Sequence, residues 1–251
     1  TFQSFSEMFK INQTLSMIAG PCSIESYKQI ELVAQTLVKN NVRFIRGGAY
    51  KPRTSPYDFQ GLGFEGLKIL DIVRKKYNLL AVSEIVDPRD IEYGLQYLDV
   101  IQIGSRNMQN YSLLKELGKT SHPVLLKRGM TSDYHEFLLA AEYIASGGND
   151  KIILCERGIK TYCSHVRNML DIAAVALIKQ ETSLPVIVDI SHSLGRKDIC
   201  EAILKAVAAV GADGIMLEIH PNPEQALSDK NQQLNLDEFN KIMKSCRQLI
   251  K

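Results

Sequence analysis

The 251-residue chain sets 30 Lys+Arg against 28 Asp+Glu for a net charge of +2, so no global field draws it to nucleic acid or a membrane, and anion recognition must come from local clusters. Its five cysteines are odd in number, dispersed and without CxxC spacing, and no signal-like or long apolar stretch occurs; this excludes a disulfide scaffold and a membrane protein and points to a reducing cytoplasm. The length suits one large α/β domain or two smaller ones, with roughly three quarters of the unfolded surface buried.

Residues 1–14 form an N-terminal extension in which Phe2, Phe5, Met8 and Phe9 fall at helical spacing. From there to the C-terminus, apolar β-branched runs alternate with helical-period stretches. Strands are predicted at Ser16–Gly20, Phe44–Gly47, Ala81–Ile85, Val100–Gly104, Val124–Lys127, Ile152–Cys155, Val186–Asp189 and Gly214–Glu218. Between them run helical faces such as Ile30, Val33 and Leu37, then Ile199, Ile203, Val207 and Val210, and last Leu236, Phe239, Met243, Cys246 and Ile250. Eight strand–helix units filling residues 15–251 predict a (β/α)8 TIM barrel, with a doubly wound open sheet as the alternative. No GxGxxG turn follows the first strand, which argues against the open sheet. The Phe5 stripe is then expected to cap the barrel bottom; an oligomer or lost-domain contact is the alternative. The Pro- and Gly-rich stretch from Lys51 to Gly63 is long for a barrel loop and reads as functional.

Barrel function sits at the C-terminal strand ends. There the chain places Cys22, then Arg46 with Lys51 and Arg53, Glu84 with Asp87, Arg106, Lys127 with Arg128, Glu156 with Arg157, Asp189 with His192, and Glu218 with His220. One subset is cationic: Arg46, Lys51, Arg53, Arg106, Lys127 and Arg157. Any one of these can pair with a neighbouring carboxylate, but all of them at one mouth call for anionic ligands such as phosphate and carboxylate. The other subset is Cys22, His192, Glu218 and Asp229, which come together if strand one neighbours strand eight. A thiol, an imidazole and two carboxylates suit a divalent transition metal rather than Ca²⁺. Without HExxH or CxxC, a buried structural Cys and a hydrogen-bonded His remain the alternative. Cys155, Cys163, Cys200 and Cys246 read as structural, and His122, His135 and His165 as surface or core residues.

At these residues the chain resembles the 3-deoxy-D-arabino-heptulosonate 7-phosphate (DAHP) synthases, in their I-beta form. The likeness runs from Gly20 to the C-terminal helix through GPCSIES, RGGAYKPRTSPYDFQGLG, QIGSRNMQN, PVLLKRG, LCERGIKTY, LPVIVDISHSLGRKD and GIMLEIHPNPEQALSD. It implies a (β/α)8 enzyme of the shikimate pathway that condenses phosphoenolpyruvate with erythrose 4-phosphate and needs a divalent metal, one of Mn, Fe, Co, Zn or Cu. By matching motifs, Cys22, His192, Glu218 and Asp229 fall on the metal ligands. Arg106, Lys127 and Arg157 fall on the phosphoenolpyruvate phosphate site, Arg46 and Lys51 near its carboxylate, and Arg53, Thr54 and Ser55 on the aldose phosphate site. Lys127, crowded by Arg106 and Arg128, is the candidate for proton transfer, and Glu84 for orienting the water.

The related 3-deoxy-octulosonate 8-phosphate synthases, which use arabinose 5-phosphate, carry a KANRSS-type loop where this chain has Lys51-Pro52-Arg53-Thr54, so the shorter aldose is expected. Ile190 stands in place of the usual Pro and Ser193 in place of the common Ala, departures that touch local loop geometry alone. A homodimer or homotetramer is expected from the resemblance. Because the chain opens on Thr1, a fragment or processed form that has lost an N-terminal ferredoxin-like or chorismate mutase domain is a further expectation, beside an unregulated enzyme. The rival readings are a non-catalytic barrel that binds a phosphorylated ligand and a Schiff-base aldolase built on Lys127.

Overall fold

Strands rich in Val, Ile and Leu on both faces need cover inside and out, and a closed sheet ringed by helices supplies both. The computed structural model describes residues 2–11 and 15–249. Its strands are β1 (Ser16–Gly20), β2 (Phe44–Arg46), β3 (Leu80–Glu84), β4 (Val100–Ile103), β5 (Val124–Lys127), β6 (Ile152–Glu156), β7 (Val186–Asp189) and β8 (Gly214–Glu218). All pair in parallel in sequence order, and β1 closes on β8 from Ser16↔Gly214 to Gly20↔Glu218. The predicted (β/α)8 barrel is the observed fold. Strand limits agree with expectation at β1, β5, β7 and β8 and shift by one residue at the others.

The helices are α1 (Phe5–Phe9), α2 (Tyr27–Lys39), α3 (Phe64–Tyr77), α4 (Ile91–Tyr97), α5 (Tyr111–Gly118), α6 (Tyr134–Ala145), α7 (Ile172–Glu181), α8 (Ile190–Leu194), α9 (Cys200–Ala209) and α10 (Leu236–Ser245). Ser26 caps α2 by accepting the Gln29 N–H at 3.1 Å, and the predicted face Ile30, Val33 and Leu37 is fully buried. Asn235 and Glu238 form a capping box on α10, whose buried face is Phe239, Ile242 and Met243; the predicted Ile250 lies outside the described residues. The stripe predicted for α9 needs correction. The fully packed face is Cys200, Leu204 and Val207, whereas Ile199 is the N-cap and Ile203 and Val210 are only partly covered. The contact line follows the Cys200 side of a broad apolar surface.

Side chains alternate across each strand. Met17, Ile45, Ala81, Ile101, Leu126, Leu154, Val188 and Leu217 pack outward against helices in one core. Ile18, Phe44, Val82, Val100, Leu125, Ile153, Ile187 and Met216 fill the barrel interior in a second. The short α1 belongs to this second core. Phe5 is buried there with Ile11, and its ring sits 5.4 Å from Phe44, while Phe9 meets Phe44 edge-on at 4.9 Å. The extension thus caps the barrel bottom, with Ser4 and Glu7 making a capping box that starts the helix.

Candidate active site at the barrel mouth

Two residues further along each strand from that apolar row stand Gly20, Arg46, Glu84, Gln102, Lys127, Cys155, Asp189 and Glu218. Every second side chain shares a face, so these form the next inward row, and all of them are buried. The row carries two cations, Arg46 and Lys127, against three carboxylates, Glu84, Asp189 and Glu218. Gly20 is required by the close approach of β2, since a Cβ there would lie 1.8 Å from the Arg46 carbonyl oxygen.

Burial of charge demands partners. Arg46 Nη1 donates to Glu218 Oε1 at 2.6 Å, while its buried Nε has no partner among the described residues. Lys127 Nζ pairs with Asp189 Oδ2. Asp189 also caps α8, accepting the His192 N–H at 2.9 Å on Oδ1, and its Oδ2 lies 2.7 Å from His192 Nδ1. Burial opposes ionisation of Asp189, but the His192 ring and the Lys127 ammonium beside it hold the carboxyl well below the usual range. Burial pulls the His192 imidazole toward its neutral form. With Nδ1 committed to Asp189, Nε2 is left facing Glu218 Oε1 at 3.5 Å and Asp229 Oδ2 at 3.7 Å.

That geometry gathers the mixed donor set. One donor atom each from Cys22, His192, Glu218 and Asp229 lies within 4.8 Å of the others. Cys22 Sγ is 3.4 Å from Asp229 Oδ2 and receives Lys51 Nζ at 3.0 Å. Burial, and then Glu218, push its thiol up to about 12, so a metal would have to displace a proton there. Burial opposes ionisation of Asp229 too, but Arg167 and His192 hold its carboxyl low. The neutral imidazole with a free Nε2, the two ionised carboxylates and the soft thiol fit a divalent transition metal, and the Nδ1-to-carboxylate bond is the usual support for a ligating His. Asp229 reaches the cluster from an irregular segment with left-handed backbone, φ 48° and ψ 45°, a conformation that costs about 1–3 kcal/mol for a residue other than Gly.

Above this floor is a cavity of about 250 Å³ lined by Arg46, Lys51, Arg53, Thr54, Glu84, Arg106, Lys127, Arg157, His192 and Asp229, among others. Among the described residues, Lys51, Arg106 and Arg157 have no carboxylate within ion-pair distance, and Arg53 has only a 3.4 Å contact to half-exposed Asp58. Burial pulls the Arg157 pKa down, and the opposing pull of Asp189 offsets it only in part. Pairing within the protein therefore accounts for Arg46 and Lys127 and leaves the rest of the cationic set available. Burial raises the Glu84 carboxyl, against the pull of Lys51 and Lys127, and Gln102 Nε2 donates to it at 3.2 Å.

Residues 9–251 match the DAHP synthetase I family. The chain belongs to that family. It is 49% identical over 238 residues, 95% of this chain and 70% of the relative, to a phospho-2-dehydro-3-deoxyheptonate aldolase of Thermotoga maritima. A crystal structure of the Thermotoga maritima DAHP synthase superposes with a TM-score of 0.90 at 48% identity, covering 94% of this chain and 69% of that one. A 2-dehydro-3-deoxyphosphooctonate aldolase of Syntrophotalea carbinolica is 32% identical over 93% of this chain and 90% of its own length.

Set against the sequence expectations for a DAHP synthetase, the candidate residues converge, with some repositioning. Ser55 stands outside the cavity wall, where its hydroxyl accepts the Tyr57 N–H at 3.2 Å. Arg128 does not crowd Lys127. Its guanidinium turns away to Glu156 at 2.9 Å and Asp171 at 2.8 Å, because successive strand residues face opposite sides. Glu156 and Asp87 leave the mouth for the same pairing reason: Asp87 caps the turn at Pro88 and binds exposed Arg89. His220 faces Glu25, 3.4 Å away. Sequence reasoning passed over Arg167, Ser228, Gln232 and Gln233, whose partners include residues far along the chain, and also the Asp189–His192 link, which its three-residue spacing at a helix start could have signalled.

Proposed function

We propose that the mouth of this barrel condenses phosphoenolpyruvate with erythrose 4-phosphate to give DAHP and inorganic phosphate. The observation that carries this reading is one cavity lined by Lys51, Arg106 and Arg157, unpaired among the described residues, and by His192 and Asp229, whose donor cluster is completed by buried Cys22 and Glu218. Two phosphates and a carboxylate must be held close together before reaction, and preorganised cations offset their repulsion. Arg106, Arg157 and Lys127 take the phosphoenolpyruvate phosphate, and Lys51 with the free Nε of Arg46 takes its carboxylate. Arg53 and Thr54, on the β2–α3 loop, take the aldose phosphate.

A divalent metal held by Cys22, His192, Glu218 and Asp229 would supply Lewis acidity for the aldehyde oxygen. The new bond joins C3 of phosphoenolpyruvate to the aldehyde carbon, water adds at C2, and the C2–O bond to phosphate breaks. Lys127, charge-paired to Asp189 and so linked to His192, is placed to move a proton at the aldehyde oxygen. Glu84, with its raised carboxyl, lines the same cavity and is assigned to orient the water. Residues 15–251 are the catalytic barrel, and a homodimer or homotetramer in the cytoplasm is the expected setting; no helix among the described residues is long and apolar enough to cross a membrane.

The deciding experiment is phosphate release from phosphoenolpyruvate with erythrose 4-phosphate or with arabinose 5-phosphate, each with and without chelator. Chelator-sensitive release with the four-carbon aldose is expected. Preference for arabinose 5-phosphate would favour the octulosonate reading, and no release with either would favour a binding barrel. Borohydride trapping of Lys127 by pyruvate would instead reveal a Schiff-base aldolase.

A further inference from the structure

Two members of the donor cluster are carried by no strand or α-helix: Cys22, two residues past the end of β1, and Asp229, which lies farther from any such element. Asp229 sits between β8 and α10 with left-handed backbone, so something outside its own segment must fix its carboxylate. Arg167, on the loop between β6 and α7, reaches it at 3.2 Å. The same guanidinium donates through Nη1 to Gln232 Oε1 at 2.7 Å, and Gln232 Nε2 donates in turn to Glu218 Oε2 at 2.5 Å and to Asp229 Oδ2 at 3.4 Å. Both carboxylates of the cluster thus trace back to one arginine.

Arg167 is itself anchored to the third member. Its N–H donates to Leu194 O at 2.9 Å, the Asn168 N–H to Ser193 O at 2.8 Å, and Asn168 Nδ2 to His192 O at 2.9 Å. The contact is tight enough that a Cβ on Gly195 would lie 2.5 Å from the Arg167 Cβ. The Arg167–Asn168 pair therefore grips α8, which presents His192, and extends one side chain to Asp229 and, through Gln232, to Glu218.

We propose that Arg167 is a positioning residue that sets His192, Glu218 and Asp229 at one mutual geometry through Asn168 and Gln232. The inference rests on the metal reading given above. Arg167 also lines the substrate cavity, so the rival is an arginine that simply binds substrate. The two differ in what they move: positioning acts on metal affinity, and substrate binding acts on phosphoenolpyruvate affinity whether or not metal is present.

The test titrates Co²⁺ into metal-free protein and follows thiolate-to-cobalt absorption, with phosphoenolpyruvate binding to chelated protein measured separately by calorimetry. Arg167→Gln is expected to raise the Co²⁺ dissociation constant about 10–100-fold, as losing the partner of a ligand does, and to leave phosphoenolpyruvate affinity within about threefold. Arg167→Lys is expected to fall between, since an ammonium cannot hold Gln232 and Asp229 in one planar fork. Unchanged Co²⁺ affinity in Arg167→Gln overturns the inference, and so does an equal loss of phosphoenolpyruvate affinity in chelated protein. Should circular dichroism show Arg167→Gln unfolded, Gln232→Met decides: weaker Co²⁺ binding supports the relay, and unchanged binding overturns it. Wild-type protein that gives no band, or a band that survives in Cys22→Ser, overturns the metal reading itself rather than this inference alone.

Discussion

The two ends of this barrel are built from the same strands, one inward position apart, and they obey opposite rules. At the base Ile18, Phe44, Val82, Val100, Leu125, Ile153, Ile187 and Met216 exclude water, and α1 seals them with Phe5 and Phe9. One step up, the interior row carries Arg46, Glu84, Lys127, Asp189 and Glu218, all buried. Stability is generated in the lower row by removing apolar surface from water. The upper row spends stability on desolvated charge, with Arg46 held by Glu218 and Lys127 by Asp189, and beside it the cavity keeps Lys51, Arg106 and Arg157 without a carboxylate partner among the described residues. The difference teaches that the ends should separate under mutation, with activity lost at one and fold strength at the other.

The largest effect expected at the mouth is from Cys22→Ala. Removing the only sulfur among the clustered donors should reduce phosphate release to the level of chelator-treated wild type, with a circular dichroism melt close to that of the parent. Full activity that resists chelator would remove the metal from the mechanism. At the base, Phe44→Ala should lower stability by about 3–5 kcal/mol, the usual cost of emptying an aromatic site in a core, read as a shift in denaturant midpoint with unchanged slope. Its kcat/KM per folded molecule should match wild type. Because Arg46 stands two residues along the same strand, a large loss of turnover would show that the base positions the mouth, and the two ends would no longer count as separable.

Between these extremes lies the loop proposed to meet the aldose. Arg53 donates to Ser228 Oγ at 2.9 Å, and Ser228 lies 3.1 Å from Cys22 Sγ, so the proposed aldose clamp touches the donor cluster through a single hydroxyl. Arg53→Ala should raise the KM for erythrose 4-phosphate about tenfold or more, the worth of one charge-assisted contact, with the KM for phosphoenolpyruvate little changed. Equal loss on both substrates would mean that Arg53 serves the cluster rather than the aldose.

Much of this division was legible in the chain. Strand periodicity located all eight strands, because runs such as Ile152–Cys155 are too apolar and β-branched to be anything but doubly buried strands. Strand ends then listed the ionisable groups of the mouth, since position along a barrel strand fixes height above the floor. What periodicity lacks is rotation. Lys127 and Arg128 are neighbours in sequence, yet one faces Asp189 inside and the other Glu156 and Asp171 outside, and only strand twist and register decide which. The same gap hid Arg167 and Gln232, whose side chains meet across 65 residues of sequence. On α9 the face was misplaced because its apolar surface is wide, with Ile203 and Leu204 both able to turn inward.

The smallest expected effect tests the plug itself. Phe9 is only partly buried, yet it stands edge-on to Phe44 with ring centroids 4.9 Å apart. Phe9→Leu keeps an apolar side chain of similar reach and removes the aromatic pairs with Phe44 and Phe5, so a loss of about 0.5–1.5 kcal/mol for each pair is expected. Turnover and Co²⁺ affinity should not move, since neither Phe9 nor Phe44 lines the mouth cavity. A stability loss as large as that of Phe44→Ala would mean that α1 is part of the barrel's cooperative core rather than a lid on it. A change in Co²⁺ affinity would carry the comparison further, because it would show that packing at the base is felt one inward row higher, at Glu218 and Asp189.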